Sequence, residues 1–190
     1  MLLAIDCGNT QTVIGLFSDR ELVDHWRIAT VAERTSDELA LMFQQFLGFQ
    51  GHSFDDGIDG VAITSGVPPA TAALRHMTER YFGFTALVVE PGVKTGMPIL
   101  YDNPREVGSD RIVDAVAAYE LYGGPAVVVD FGTATVFDAI VHRFEAELGP
   151  SSVVATGGLA ELIMPHSDTI QHYEPWLTLQ GLRIIYERNS

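Results

Sequence analysis

The chain has 190 residues, 47% of them hydrophobic, and a mean hydropathy of +0.16; that is enough apolar material for the core of one large or two small domains, and it excludes a disordered polymer. A formal net charge of −14 repels the phosphate backbone of DNA and RNA, so nucleic acid is excluded as a general partner. An anionic substrate would need help from cations, placed basic groups or backbone N–H groups.

The first segment, Leu2 to Ile5, is apolar and ends at Asp6. A Gly-Asn turn follows, and Thr12 to Phe17 is apolar again, which predicts a β-hairpin. Glu21 to Thr30 alternates as a third strand. A helix opens near Ser36, its expected N-cap, with Leu39, Phe43, Phe46 and Leu47 at helical spacing. Val61 to Thr64 reads as a buried strand, Ala70 to Tyr81 as a helix, and Thr85 to Val89 as another strand. Pro91 to Glu106 is a Gly- and Pro-rich loop, and Ser109 to Tyr122 is helical. This β-β-β-α-β-α-β order predicts an α/β fold with a mixed sheet flanked by helices.

After Gly123-Gly124-Pro125 the opening pattern returns. Val127-Val128-Val129-Asp130-Phe131-Gly132-Thr133 repeats Leu3-Ala4-Ile5-Asp6-Cys7-Gly8-Asn9, and a second apolar strand is expected over 134–141. Two copies roughly 120 residues apart suggest a duplicated fold. A helix is expected over 143–148, a strand runs from Val153 into Thr156-Gly157-Gly158, and an amphipathic helix over 177–187 closes the chain.

The repeated Asp-x-Gly turns carry the clearest chemical signal. An apolar strand delivers a carboxylate to its end, and the glycine lets backbone approach a ligand closely. Two such turns facing each other would hold a polyphosphate, the carboxylates recruiting neutralising cations. Asp110-Arg111 follows Gly108-Ser109 at a helix start, where the dipole favours an ionised carboxylate. Such an aspartate can accept a hydroxyl proton while the arginine binds an anion; the pair also fits a helix-start carboxylate beside a solvated arginine. Thr156-Gly157-Gly158 can pack against a purine or simply reverse the chain. Gly92-Val93-Lys94-Thr95-Gly96 lacks Walker A spacing, and the six histidines show no zinc spacing. His166 and His172 read as surface residues. The single Cys7 reads as a packed residue, precludes an intrachain disulfide and fits a reducing cytoplasm. The N-terminus has no basic leader, and no apolar run approaches the roughly 20 residues that span a bilayer.

Together these pieces resemble a type III pantothenate kinase, of the actin-like acetate and sugar kinase group. Asp6-Cys7-Gly8-Asn9-Thr10 resembles the family's first phosphate motif, and Asp130-Phe131-Gly132-Thr133 the second. The stretch from Asp102 through Gly108-Ser109-Asp110-Arg111 to Ala115 resembles its most specific motif, and Thr156-Gly157-Gly158 its adenosine motif. The resemblance implies two ribonuclease-H-like halves, residues 1–122 and 123–190, and ATP-dependent phosphorylation of pantothenate, the first step toward coenzyme A. It implies Asp110 as the general base, with Tyr101, Gly108, Ser109, Asp110 and Arg111 lining the pantothenate site. It implies an ATP loop of Asp6, Cys7, Gly8, Asn9, Thr10, Gln11, Thr12 and Val13, with Thr133, Gly157 and Gly158 also on the nucleotide. Asp130 would bind a monovalent cation, K+ or NH4+, and Asp6 would hold Mg2+ or a similar divalent ion through water. The family's members are cytoplasmic homodimers.

The chain departs from the family pattern after about Ile140. There the family continues into a further strand, a Gly-Gly-x-Ile-x-Pro-Gly turn and several helices; here the second hairpin runs almost directly into a helix. The second half is therefore shortened. Two other readings stay open: a nucleotide-binding remnant that transfers nothing, and another small-molecule kinase or a phosphatase of the same superfamily.

Overall fold

The computed structural model describes residues 1–55, 57–131, 144–145 and 147–190. They form two units: Met1–Val113 with Leu182–Ser190, and Asp114–Gly181.

The first unit is built on a five-stranded mixed sheet. Its strands are β1 (Leu2–Cys7), β2 (Gln11–Ser18), β3 (Glu21–Ala29), β4 (Gly60–Ser65) and β5 (Leu87–Val88), in spatial order β3-β2-β1-β4-β5. The first three pair antiparallel, and β4 and β5 continue parallel to β1. Parallel neighbours need crossovers, which α1 (Ser36–Phe49) and α2 (Pro68–Met77) supply. This is the mixed sheet flanked by helices that the element order predicts, and it suits the ribonuclease-H-like fold that the resemblance implies.

β1 lies in the centre of the sheet and is covered on both faces, which is why it reads as continuous apolar sequence rather than alternation. On one face Leu3, Ile5 and Cys7, with Ile14, Leu16, Val61 and Ile63, pack against Leu39, Phe43 and Leu47 of α1 and Leu74 and Met77 of α2. The other face includes Leu2, Ala4, Phe17 and Ala62, also buried. There α4 (Leu177–Asn189) returns: the Arg183 guanidinium lies 6.0 Å from the Phe17 ring centre, and the Tyr186 hydroxyl donates to the Asp59 carbonyl at 3.1 Å. A Cβ at Gly60 would collide with the Tyr186 ring, so only glycine fits there.

The bounds of α1 and α2 differ from the sequence-based expectation. The N-cap of α1 is Thr35, not Ser36: Thr35 Oγ1 accepts from the Glu38 N–H at 3.3 Å, and Glu38 accepts from the Thr35 N–H at 2.8 Å. The helix expected to reach Tyr81 is α-helical only to Met77, then forms a π turn over Thr78–Phe82 that Gly83 ends at φ 79°. The buried Thr78 hydroxyl donates to the Leu74 carbonyl at 2.9 Å, competing with the regular ladder.

The second unit holds a parallel sheet of β6 (Ala126–Asp130), β7 (Ser152–Thr156) and β8 (His172–Tyr173), in that order. Among the described residues Phe131, Ala155 and Ala160 form a small cluster there, with Val129, Ile163, Ile170 and Tyr173 around it. His172 is half-buried and its ring stacks on Tyr122 at 4.3 Å, so it is not the surface residue the sequence suggests; His166 is exposed. Burial, and secondarily Glu174, holds the Tyr122 phenol above its ordinary 10.0. The expected strand over 134–141 lies outside the described residues, as does the start of the helix expected over 143–148. No helix of the described residues is long and apolar enough to cross a membrane.

Candidate active site

The first Asp-x-Gly turn is set by the β1–β2 hairpin. β1 carries the half-buried Asp6 to its end between the buried Ile5 and Cys7. The Gly8 N–H donates to the Gln11 carbonyl at 3.0 Å, and a Cβ on Gly8 would sit only 3.2 Å from that oxygen. Asn9, Thr10 and Gln11 are exposed, Thr12 is buried and Val13 half-buried. The turn is braced from β3: the Thr30 N–H donates to the Thr10 carbonyl at 2.9 Å, and the Thr30 and Thr12 hydroxyls lie 2.8 Å apart. Thr12 also donates to Cys7 Sγ at 3.4 Å. Cys7 is 1% exposed, a packing residue rather than an accessible nucleophile. A cavity of about 20 Å³ beside it, lined by Cys7, Thr12, Thr30 and Arg34 among others, has room for about one water and none for a nucleotide.

The same sheet edge anchors Asp110. In the β1–β4 register Asp6 stands opposite Thr64 and Cys7 opposite Ser65. Thr64 is fully buried, and its hydroxyl donates to Ser109 Oγ at 2.7 Å. Ser109 is the first residue of α3 (Ser109–Tyr122). The first Asp-x-Gly turn and the start of α3 are therefore both attached at the C-terminal ends of neighbouring parallel strands, where α/β sheets characteristically bind ligands. Asp110 and Arg111 are exposed. Asp110 Oδ1 accepts from the Arg111 N–H at 2.9 Å and lies against Gly108, where a Cβ would collide with it. That location at a helix N-terminus suits an ionised carboxylate that can take a proton. Tyr101 is 59% exposed on the preceding loop. That loop is tied to the C-terminal helix: Asn189 bonds both the N–H and the carbonyl of Lys94, and Arg188 donates to the Thr95 carbonyl.

In the second unit, Asp130 ends β6 opposite Thr156 of β7. The Phe131 N–H donates to the Thr156 carbonyl at 2.9 Å, so these two residues, from motifs singled out separately in the sequence, are neighbours. Gly157 has φ 89°, and a Cβ there would meet the Asp130 carboxylate. Asp130 and Gly158 are exposed. Thr133 lies outside the described residues.

Among the described residues no cluster of three or more His, Cys, Asp or Glu could hold a metal ion by itself. Asp6 and Asp130 each bring a single carboxylate to a strand end. In the first unit, the single carboxylate of Asp6 fits a Mg2+-type ion, which protein sites commonly hold with one or two carboxylates, substrate phosphates and water. Thr30 and Thr64, which the geometry places against these turns, carry no local motif and were not legible in the sequence.

The family model for type III pantothenate kinase matches residues 2–148. The chain belongs to the type III pantothenate kinase family. A type III pantothenate kinase of Streptomyces griseus is 43% identical over 261 aligned positions, covering all of this chain and 98% of the relative. One from Moorella thermoacetica is 42% identical over 255 positions, covering all of both chains. Since this chain has 190 residues, at least 71 of the 261 positions have no residue here. A solved chain of the Baf family from Campylobacter jejuni matches with a TM-score of 0.50 at 16% identity, covering 98% of this chain and 97% of that one, a likeness of fold alone. As a member of a kinase family the chain is a phosphotransferase, of a class that uses ATP with a divalent cation.

Proposed function

We propose that this chain transfers the γ-phosphoryl group of ATP to the hydroxyl of pantothenate, giving 4'-phosphopantothenate in the first step of coenzyme A biosynthesis. One observation carries the reading most: Asp110 opens a helix that is pinned through Ser109 and Thr64 to the strand beside the one ending in Asp6. Asp110 accepts the hydroxyl proton as the substrate oxygen bonds to the γ-phosphorus. The bond from that phosphorus to the β–γ bridging oxygen breaks, and ADP leaves. Arg111 holds the pantothenate carboxylate, and Tyr101, Gly108 and Ser109 line its site. The turn from Asp6 to Val13 binds the ATP phosphates, Thr133 contacts ATP, and Gly157 and Gly158 pack against the adenosine.

Asp6 would hold Mg2+ or a similar ion through water, and Asp130 would hold K+ or NH4+. When bound, these cations neutralise phosphate charge, which a chain of net charge −14 cannot do alone. The protein acts in the cytoplasm as a homodimer of two ribonuclease-H-like halves, 1–122 and 123–190, the second shortened after about Ile140. A second reading, nucleotide binding without transfer, is favoured by the 71 or more aligned positions that have no residue here. ADP release with ATP, Mg2+ and K+ separates them. Release that requires pantothenate supports the kinase, and nucleotide binding by folded protein without release supports the remnant.

A further inference from the structure

Thr64 stands apart from the motifs of the site, yet its side chain joins the sheet to α3. It is fully buried near the end of β4, opposite Asp6 in the β1–β4 register. Its hydroxyl donates to Ser109 Oγ at 2.7 Å. A serine hydroxyl has one proton and two acceptor lone pairs. With Thr64 donating to the oxygen, the Ser109 proton is left to point to another acceptor. The same bond fixes the first residue of α3, whose next residue is Asp110. The Asp110 carboxylate is itself folded back onto the Arg111 N–H at 2.9 Å, and the Ile112 N–H bonds the Gly108 carbonyl at 3.3 Å. The first turn of α3 is thus a local knot to which the Thr64 hydroxyl anchors the sheet.

We propose that Thr64 is a positioning residue for phosphoryl transfer: acting through Ser109, it sets the Ser109 hydroxyl as a donor to the acceptor substrate and holds the Asp110 turn in register with the sheet edge. The kinetic part rests on the kinase reading above. The positioning part does not, because it concerns the turn itself.

The pair is tested with Thr64→Val, which keeps the shape and removes the hydroxyl, and with Thr64→Ser, which restores the hydroxyl on a smaller side chain. Amide exchange of Arg111 and Ile112, followed by NMR in the full chain, reads the turn without turnover. Thr64→Val is expected to speed exchange of both amides about tenfold while the β1–β4 ladder amides are unchanged, and Thr64→Ser to restore slow exchange; a tenfold change corresponds to about 1.4 kcal/mol, within the range for one lost hydrogen bond. Unchanged exchange in Thr64→Val overturns the proposal whether or not the chain is active.

In active protein, Thr64→Val should raise KM for pantothenate about tenfold and lower kcat, leaving KM for ATP unchanged. Ser109→Ala should do the same, and the double variant should be no worse than either single one, because residues sharing one interaction are non-additive. Additive losses, or equal rises in both KM values, would count against the coupling and leave Thr64 a core residue only. Should Thr64→Val fold poorly, Ser109→Ala at the half-buried end of the bond carries the same exchange and KM readouts. An inactive wild-type chain removes the kinase reading, and the exchange result still decides the positioning.

Discussion

Strand β1 carries Leu3-Ala4-Ile5 into Asp6, and β6 carries Val127-Val128-Val129 into Asp130, with a glycine two residues after each aspartate. The two copies end in different surroundings. β1 has β2 on one side and β4 on the other, helices on both faces, and Leu3, Ala4 and Ile5 at 0% exposure. β6 pairs with β7 alone among the described residues, and Val127, Val128 and Val129 are each only half-buried. An apolar strand ending in Asp-x-Gly thus encodes the strand and its turn, but not its burial. Burial comes from neighbours, and among the described residues β6 has one neighbouring strand where β1 has two.

The largest expected effect tests the better-built side of this contrast. Asp110→Asn removes the proposed proton acceptor but keeps the shape of the turn. Turnover should fall about 10²- to 10⁴-fold, the usual range for a general base, with nucleotide binding retained; steady-state kinetics beside an ATP titration checks it. A fall of less than tenfold would take the base role away from Asp110.

Next comes a matched pair of core truncations in the twin strands. Ile5→Ala should cost about 2–5 kcal/mol, the range for a fully packed isoleucine. Val129→Ala, at the equivalent position of β6, should cost about 1 kcal/mol, because it removes less surface from a half-exposed site. Urea unfolding of both variants reads the difference. Equal costs would mean that β6 is as tightly enclosed as β1.

Smaller effects belong to the cap of α1. Thr35→Ala should cost about 1 kcal/mol, while Ser36→Ala should be close to neutral, which distinguishes the observed cap from its neighbour. Hydrogen bonds from the Thr35 N–H and then its hydroxyl hold the Glu38 carboxyl below its ordinary 4.5. A carboxyl with a depressed folded-state pKa contributes stability that is present above 4.5 and is lost as pH falls through its lower folded value. The melting temperature of wild type should therefore converge on that of Glu38→Gln as pH drops below 4.5, and stay above it near neutrality.

Much of this was legible because it is local. Period-two and apolar runs place β1, β2, β3, β4 and β6, and Ser109 to Tyr122 is helical over the full expected span. The strand expected over Thr85 to Val89 is paired in register at Leu87–Val88, with the Val89 N–H adding a bond to the Ile63 carbonyl at 2.8 Å. The true cap was also written locally: Thr35 is the hydroxyl three residues before Glu38, whereas Ser36 is merely the nearest to the helix. What escaped the sequence is non-local. Nothing near Thr64 announces a bond to Ser109, 45 residues away, and nothing near Lys94 announces Asn189, 95 residues away. Asp6, Asp110 and Asp130 could be picked out by their motifs, while the hydroxyls and amides that fix their turns come from strands and helices that only the folded topology brings near.

The most direct test of the central claim is to incubate the purified 190-residue chain with pantothenate, ATP, Mg2+ and K+ and follow the pantothenate by mass spectrometry. One added phosphoryl group on pantothenate is expected, formed by wild type and nearly absent with Asp110→Asn. Pantothenate that stays unmodified, in the presence of protein shown by cooperative unfolding to be folded, would contradict it.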